Sequence, residues 1–213
     1  MSVDAEGILE ALKAGLSLGG SAALRGRVRR GRFPEESNVE ARVEVGGCSE
    51  PLFHLKVFRG RPPYYRAWVE IHNVASRACG VSFDGLVEDL LLDLLASRMG
   101  PAGRLYIEYE WDPATSRELE LGIPPPITRL GYKLLTRGFT WFKDWYYPEG
   151  FMEGGRKLEA EKPLTPEHAR RHLEEIARDV LELMERGIPE GLGHVKARAQ
   201  GILVLLKAGG KGG

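Results

Sequence analysis

The chain has 213 residues, in which 30 Lys and Arg balance 30 Asp and Glu, and 43% are apolar. That is enough for one substantial core, so disorder of the whole chain is excluded, and zero net charge argues against a general nucleic-acid binder. No apolar run approaches the ~20 residues of a bilayer span, and no charged segment leads into an apolar one at Met1; the expectation is a cytoplasmic protein without a membrane span or secretory signal.

From the N-terminus, Ile8, Leu9, Leu12 and Leu16 recur at helical spacing and predict a helix over Val3 to Leu16, stopped by Gly19-Gly20. Arg25 to Phe33 reads as a short basic strand. Val39, Ala41, Val43 and Val45 alternate with Glu40, Arg42 and Glu44 as a strand with one wet face, and Gly46-Gly47 turns it. Leu52 to Phe58 and Tyr64 to Val74 complete an antiparallel meander. Asp84 is a candidate N-cap for a helix carrying Leu86, Val87, Leu90, Leu91, Leu94 and Leu95, ended by Gly100-Pro101. Leu105 to Glu110 reads as a strand, Ile127 to Arg137 as a helix ended by Gly138, Phe139 to Tyr147 as an aromatic strand and Arg156 to Glu161 as the last one. Thr165-Pro166-Glu167 starts a helix with Leu173, Ile176, Val180 and Met184 as its buried stripe. From Gly193 the pattern fits strand or helix, because Val195, Ala197 and Ala199 alternate with polar residues before the apolar run Ile202 to Leu206.

This order predicts a mixed α/β (α+β) domain whose mostly antiparallel sheet contains one parallel βαβ unit, Tyr64 through Glu110, with extra helices at both ends. Residues 1–213 are read as a single domain with its core at 20–163, an addition at 164–208 and a disordered tail at 209–213. Cys48 and Cys79 alone make neither a disulfide framework nor a cysteine zinc site. Two Asn and one Gln against 21 Arg and 23 Glu is the composition of a heat-adapted protein.

Arg77-Ala78-Cys79-Gly80-Val81-Ser82 between the long strand and the Leu-rich helix, and the helix end Leu134-Leu135-Thr136-Arg137-Gly138-Phe139, resemble the GNAT N-acyltransferase superfamily. The run from Pro124-Pro125-Pro126 through Gly138-Phe139 and Trp145-Tyr146-Tyr147-Pro148-Glu149-Gly150 to Glu153-Gly154-Gly155 resembles a small, mainly archaeal domain-of-unknown-function family (1122) grouped with it. The resemblance covers roughly residues 39 to 163. It implies that backbone amides of Arg77, Ala78, Cys79, Gly80, Val81 and Ser82 hold the pyrophosphate of acetyl-CoA or another acyl-CoA. It also implies that the strand carrying Val69, Ile71 and Asn73 hydrogen-bonds the pantetheine, and that the acyl group goes to a small-molecule or peptide amine. The family helix pair between the first two strands has no room in residues 33 to 38. Tyr132 is the candidate acid, although it sits further back from the Gly138-Phe139 turn than the family tyrosine, with Leu134 in the nearer slot.

An acyl transfer to an amine needs a base, and Glu70 and Glu108 on the two central strands are the candidates, with His72 on the same face as Glu70. Trp145, Tyr147, Glu149 and Glu153 form a candidate flap over a cationic acceptor; the same aromatics would also suit a core or a homodimer contact. His168, His172 and Glu175 have metal-ligand spacing on a helix, but no fourth ligand accompanies them and no metal is expected. Arg25, Arg27, Arg29, Arg30 and Arg32 would be the contact in the alternative reading as an RNA-associated protein; a non-catalytic binding or dimerisation module is the other alternative.

Overall fold

Alternating apolar residues and helix stripes resolve, in the computed structural model, into seven strands and seven α-helices among the described residues, which are 5–16, 23–59, 65–72, 74–81, 83, 85–147, 155–163, 166–187 and 191–208. Helix α1 (Ala5–Leu16) precedes the antiparallel strands β1 (Ala23–Arg30), β2 (Glu36–Val45), β3 (Cys48–Arg59) and β4 (Tyr65–Ile71). Helices α2 (Val74–Cys79) and α3 (Leu86–Arg98) lead to β5 (Arg104–Glu108), which lies parallel to β4. Helix α4 (Pro113–Glu120), a 3-10 turn (Pro125–Ile127) and helix α5 (Arg129–Leu135) follow, then the hairpin β6 (Trp141–Tyr147) and β7 (Gly155–Glu161), and the helices α6 (Pro166–Glu185) and α7 (Gly193–Ala208). The sheet order is β1-β2-β3-β4-β5-β7-β6, with β4–β5 its parallel pair.

Strand parity sets the two faces of this sheet. Val39, Ala41, Phe53, Leu55, Val57, Ala67, Val69, Leu105, Ile107, Leu158 and Ala160 form one buried cluster with Ile8, Leu9 and Leu12 of α1, Leu91, Leu92 and Leu95 of α3 and Leu130 and Leu134 of α5. The alternate residues make the opposite, polar face. A second cluster joins Leu173, Ala177, Val180 and Met184 of α6 to Val195, Ala199 and Ile202 of α7, resting on Ile127 and Leu135. Gly201 lets the Tyr132 hydroxyl lie directly against α7, because a Cβ there would push the ring aside.

Several sequence expectations change in three dimensions. The expected strand to Val74 stops at Ile71, and what was expected to be an open loop from Arg77 to Ser82 is helical through Cys79, with a left-handed Gly80 (φ 66°) after it. The cap of α3 is Gly85; Asp84 lies outside the described residues. The stretch Ile127 to Arg137 is not one helix, because Thr128 breaks it and caps α5 by accepting from the Gly131 amide. Helix α4 was not anticipated. The ambiguous C-terminal stretch is helix α7, since Val195, Ala199 and Ile202 are buried at helical spacing while Ala197 is exposed. The tail 209–213 lies outside the described residues.

The two cysteines, read from the sequence as making no disulfide framework, form one bond. Cys48, just after the Gly46-Gly47 turn, is bonded to Cys79 at the end of α2, with their Cα atoms 5.6 Å apart. The bridge spans a sequence separation of 31 residues. By the loop-closure relation, its loss in the double variant Cys48→Ser, Cys79→Ser is expected to lower stability by about 3–4 kcal/mol. Urea unfolding measures this; an unchanged midpoint would mean the bond adds no constraint to the unfolded chain.

Candidate functional site

The polar face carries one row of side chains across all seven strands. Arg27 pairs with Glu40, Glu40 with His54, and His54 with Glu70. The parallel pairing of β4 and β5 ends at Val69 opposite Ile107, so Glu70 and Glu108 are the next residues on each strand. Glu108 then faces Lys157, and Lys157 faces Trp145. The two carboxylates expected to share a site are thus brought together at the carboxyl ends of the parallel pair, a common ligand position in α/β sheets.

Basic and acidic groups pair along this row over short distances. Arg27 and Glu40 are 2.5 Å apart, His54 Nδ1 and Glu70 Oε2 3.7 Å, and Lys157 Nζ and Glu108 Oε1 3.4 Å. Lys157 is fully buried. Burial raises the Glu108 carboxyl to about 7; the charge of Glu70 adds to this, while Lys157 and the Ile71 amide oppose it. Glu70 is pulled the other way, below the ordinary carboxylate value, mainly by His54 and also by His72 and Lys56, against its own desolvation. Two neighbouring carboxyls with proton affinities pushed apart are the arrangement that separates a base from a spectator charge.

A second row runs beside the first. Trp68 faces Tyr106 across the parallel pair, and the rings stack with centroids 5.2 Å apart and planes at 23°. Lys157 Nζ lies 4.2 Å from the centre of the Trp68 ring. The Tyr106 hydroxyl donates to Glu159 (3.1 Å), and Trp145 Nε1 donates to the same carboxylate. Lys143 covers the Trp145 ring at 3.5 Å. These contacts give the carboxylate pair an aromatic border, which limits water and raises the value of each charge inside it.

Beside His54, the register of β2 shifts between Ala41 and Arg42, and a hollow of about 190 Å³ lies there. His54, His72, Glu40 and Phe53 are among its lining residues. His72 is held by its amide, which donates to the Leu52 carbonyl at 2.9 Å.

Other sequence candidates fall elsewhere. The amides of Arg77, Ala78 and Cys79 belong to α2 and enter its hydrogen-bond ladder, while Gly80 has open space where a Cβ would point. Tyr132 packs its hydroxyl against α7 at Gly201 and is not brought to Glu70 and Glu108. Trp145 does reach the site. Asn73, Ser82, Glu149, Glu153 and the side chain of Tyr147 lie outside the described residues. His168, His172 and Glu175 are exposed on α6. Arg25 and Arg27 are paired with Glu44 and Glu40 across the β1–β2 ladder. Sequence reasoning missed His54, Lys157, Trp68 and Tyr106. Each occupies an outward position of its strand, but only the strand order reveals that they are neighbours.

Among the described helices none is long and apolar enough to cross a membrane. No curated protein matches the chain. A solved structure of a protein of unknown function, AQ1966 from Aquifex aeolicus, is similar, with 40% identity, a TM-score of 0.71, and coverage of 92% of this chain and 96% of that one. Residues 20–187 match the family described as protein of unknown function (DUF1122). With a match over most of its length and a relative of this similarity, the chain belongs to the DUF1122 family.

Proposed function

We propose that this protein is a CoA-dependent N-acyltransferase of the GNAT type, with Glu108 as the base. The observation that carries the reading is the pair Glu70 and Glu108, set one residue beyond the parallel strands and differing in proton affinity, with Glu108 at about 7. In this reading the acyl-CoA thioester lies where β4 and β5 part. The amine attacks the thioester carbon, Glu108 accepts the proton released from nitrogen, and the carbon–sulfur bond breaks to give free CoA. The aromatic border of Trp68, Tyr106 and Trp145 would exclude water from the reacting thioester. The hollow beside His54 and His72 would receive the amine. The parallel pair β4–β5 is the βαβ unit that the order of elements predicts.

The pyrophosphate would lie at Gly80, where the backbone is left-handed and unobstructed, with the exposed Arg77 nearby. Acetyl-CoA at a hundredfold excess over its Kd is expected to stabilise the folded protein by about 2.7 kcal/mol, a rise in Tm of roughly 5–10 °C. Gly80→Asp should remove that rise by placing a carboxylate against the phosphates. Absence of any rise with saturating acetyl-CoA or longer acyl-CoAs would reject the reading. One observation favours the alternative of a non-catalytic acyl-CoA-binding module: helix α2, tied down by the Cys48–Cys79 bond, stands where an open phosphate loop is expected. A Tm rise without product on a broad panel of amines would decide for that alternative.

A further inference from the structure

We propose that His54 is a positioning residue that keeps Glu70 a carboxylate, so that the proton taken from the substrate amine goes to Glu108 alone. This inference rests on the acyl-transfer reading of the same site and names a residue that the resemblance does not.

The argument begins from register. Two carboxylates at adjacent positions of neighbouring strands compete for one proton, and without a third group they share it. Sharing harms a base, because the proton must leave the reacting nitrogen for one defined oxygen. Here the symmetry is broken from both sides. His54 of β3 is the cross-strand partner of Glu70 and lies 3.7 Å from it, while Lys157 of β7 is the cross-strand partner of Glu108 at 3.4 Å.

The surroundings of each carboxyl decide where the proton rests. Glu70 is faced by His54 and Lys56 from β3 and by Glu108 from β5, and has His72 just past the end of its own strand; all but Glu108 favour its charged form. Glu108 is faced by Glu70 and Lys157 and accepts from the Ile71 amide, yet its burial outweighs them. Glu40, on the far side of His54, is held by Arg27 and Arg29, which lower its proton affinity, so its charge is already matched from β1. In this row His54 is the link that fixes the role of Glu70.

The test is a carboxyl-carbon NMR titration of the full chain, in the wild type, His54→Gln and His54→Lys, with near-UV circular dichroism confirming the fold of each. In the wild type Glu70 should be flat through neutral pH while Glu108 titrates. In His54→Gln up to about half of the amplitude near neutral pH should move to Glu70, the limit for two carboxyls sharing one proton evenly. His54→Lys, which places a hydrogen-bond donor and a cation at the position, should return Glu70 to a flat line. A space-filling role for His54 would not produce this split between the two variants. In parallel, kcat for acyl transfer should fall about tenfold in His54→Gln and recover in His54→Lys. A flat Glu70 in His54→Gln, or no recovery in His54→Lys, overturns the inference while an active enzyme leaves the acyl-transfer reading standing. Loss of the acetyl-CoA Tm rise in the wild type overturns that reading, and with it the proton-transfer role assigned to His54.

Discussion

Replacing Glu108 by Gln is expected to lower the rate of acyl transfer by about 10²–10⁴-fold, the contribution of a positioned base, while leaving the acetyl-CoA-induced rise in Tm unchanged. Gln retains the shape of the side chain and its hydrogen bond from the Ile71 amide, but it cannot take a proton. The wild-type pH profile follows from the same group. A base acts as its carboxylate, and burial raises Glu108 to about 7, so kcat should climb with pH up to about 7 and level off above it. Lys157→Met provides the complementary measurement. It removes the buried cation 3.4 Å from Glu108, so the carboxylate becomes costlier and the climb should move to higher pH. A Glu108→Gln protein with full activity, or a wild-type profile flat from about pH 5 to 9, would exclude Glu108 as the base.

The second large effect concerns how the C-terminal helices are held. Glu118 of α4 is 2% exposed and accepts from Arg198 through both guanidinium nitrogens at 3.0 Å, from the Arg129 amide at 2.7 Å, and lies 2.8 Å from His194 Nε2. Arg198 also donates to the Ile127 carbonyl at 2.7 Å. One carboxylate thereby ties α7 to α4, to the 3-10 turn and to the first turn of α5, where a negative group meets the unsatisfied amides. Glu118→Ala takes the carboxylate from a partly buried guanidinium and from an amide together, and the expected cost is about 3–5 kcal/mol. Urea unfolding at neutral pH measures it. In the double variant Glu118→Ala, Arg198→Ala the loss should be smaller than the sum of the two single losses, because the stranded charge is gone. Full additivity would mean that the contact does not couple the helices.

A parallel network explains why so much of the charge of this chain is structural. Glu88 of α3 is fully buried, between Arg129 (3.1 Å) and Lys133 (3.2 Å), and Arg129 also holds Asp112 at 2.8 Å. Arg137 of the α5 end reaches Asp89 and Asp93. These pairs join α3, α4 and α5 on the core side, while the row through Glu108 runs on the opposite face. In the sequence the two groups look alike, as Glu and Arg scattered among apolar residues.

Periodicity was enough to find what is local. Helix α3 follows from Val87, Leu91 and Leu95, β2 from the alternation of Val39, Ala41 and Val43, and the end of α5 from Gly138, which takes φ 87° and lets the Phe139 amide close back on Leu134. The parallel β4–β5 unit was also legible, because a strand, a helix and a strand in succession leave few other connections. Helix α4 escaped because its stabilising contacts are distant: Thr115 and Glu118 serve the amides of α5, and their spacing mimics an ordinary polar stretch. The Cys48–Cys79 bond escaped because a pair of cysteines 31 residues apart says nothing about whether their Cα atoms approach to 5.6 Å.

For the site, Glu70 and Glu108 could be named from the sequence because each sits near the carboxyl end of a recognisable strand. That they are neighbours, that His54 and Lys157 stand on either side of them, and that Tyr132 faces α7 instead depended on the tertiary structure. The amino-acid sequence by itself determined the faces of the strands and helices, since side-chain direction is a property of the local backbone period. Only the folded chain decided which faces meet and which carboxyl is desolvated, because strand order and proton affinity depend on residues far apart along the polypeptide.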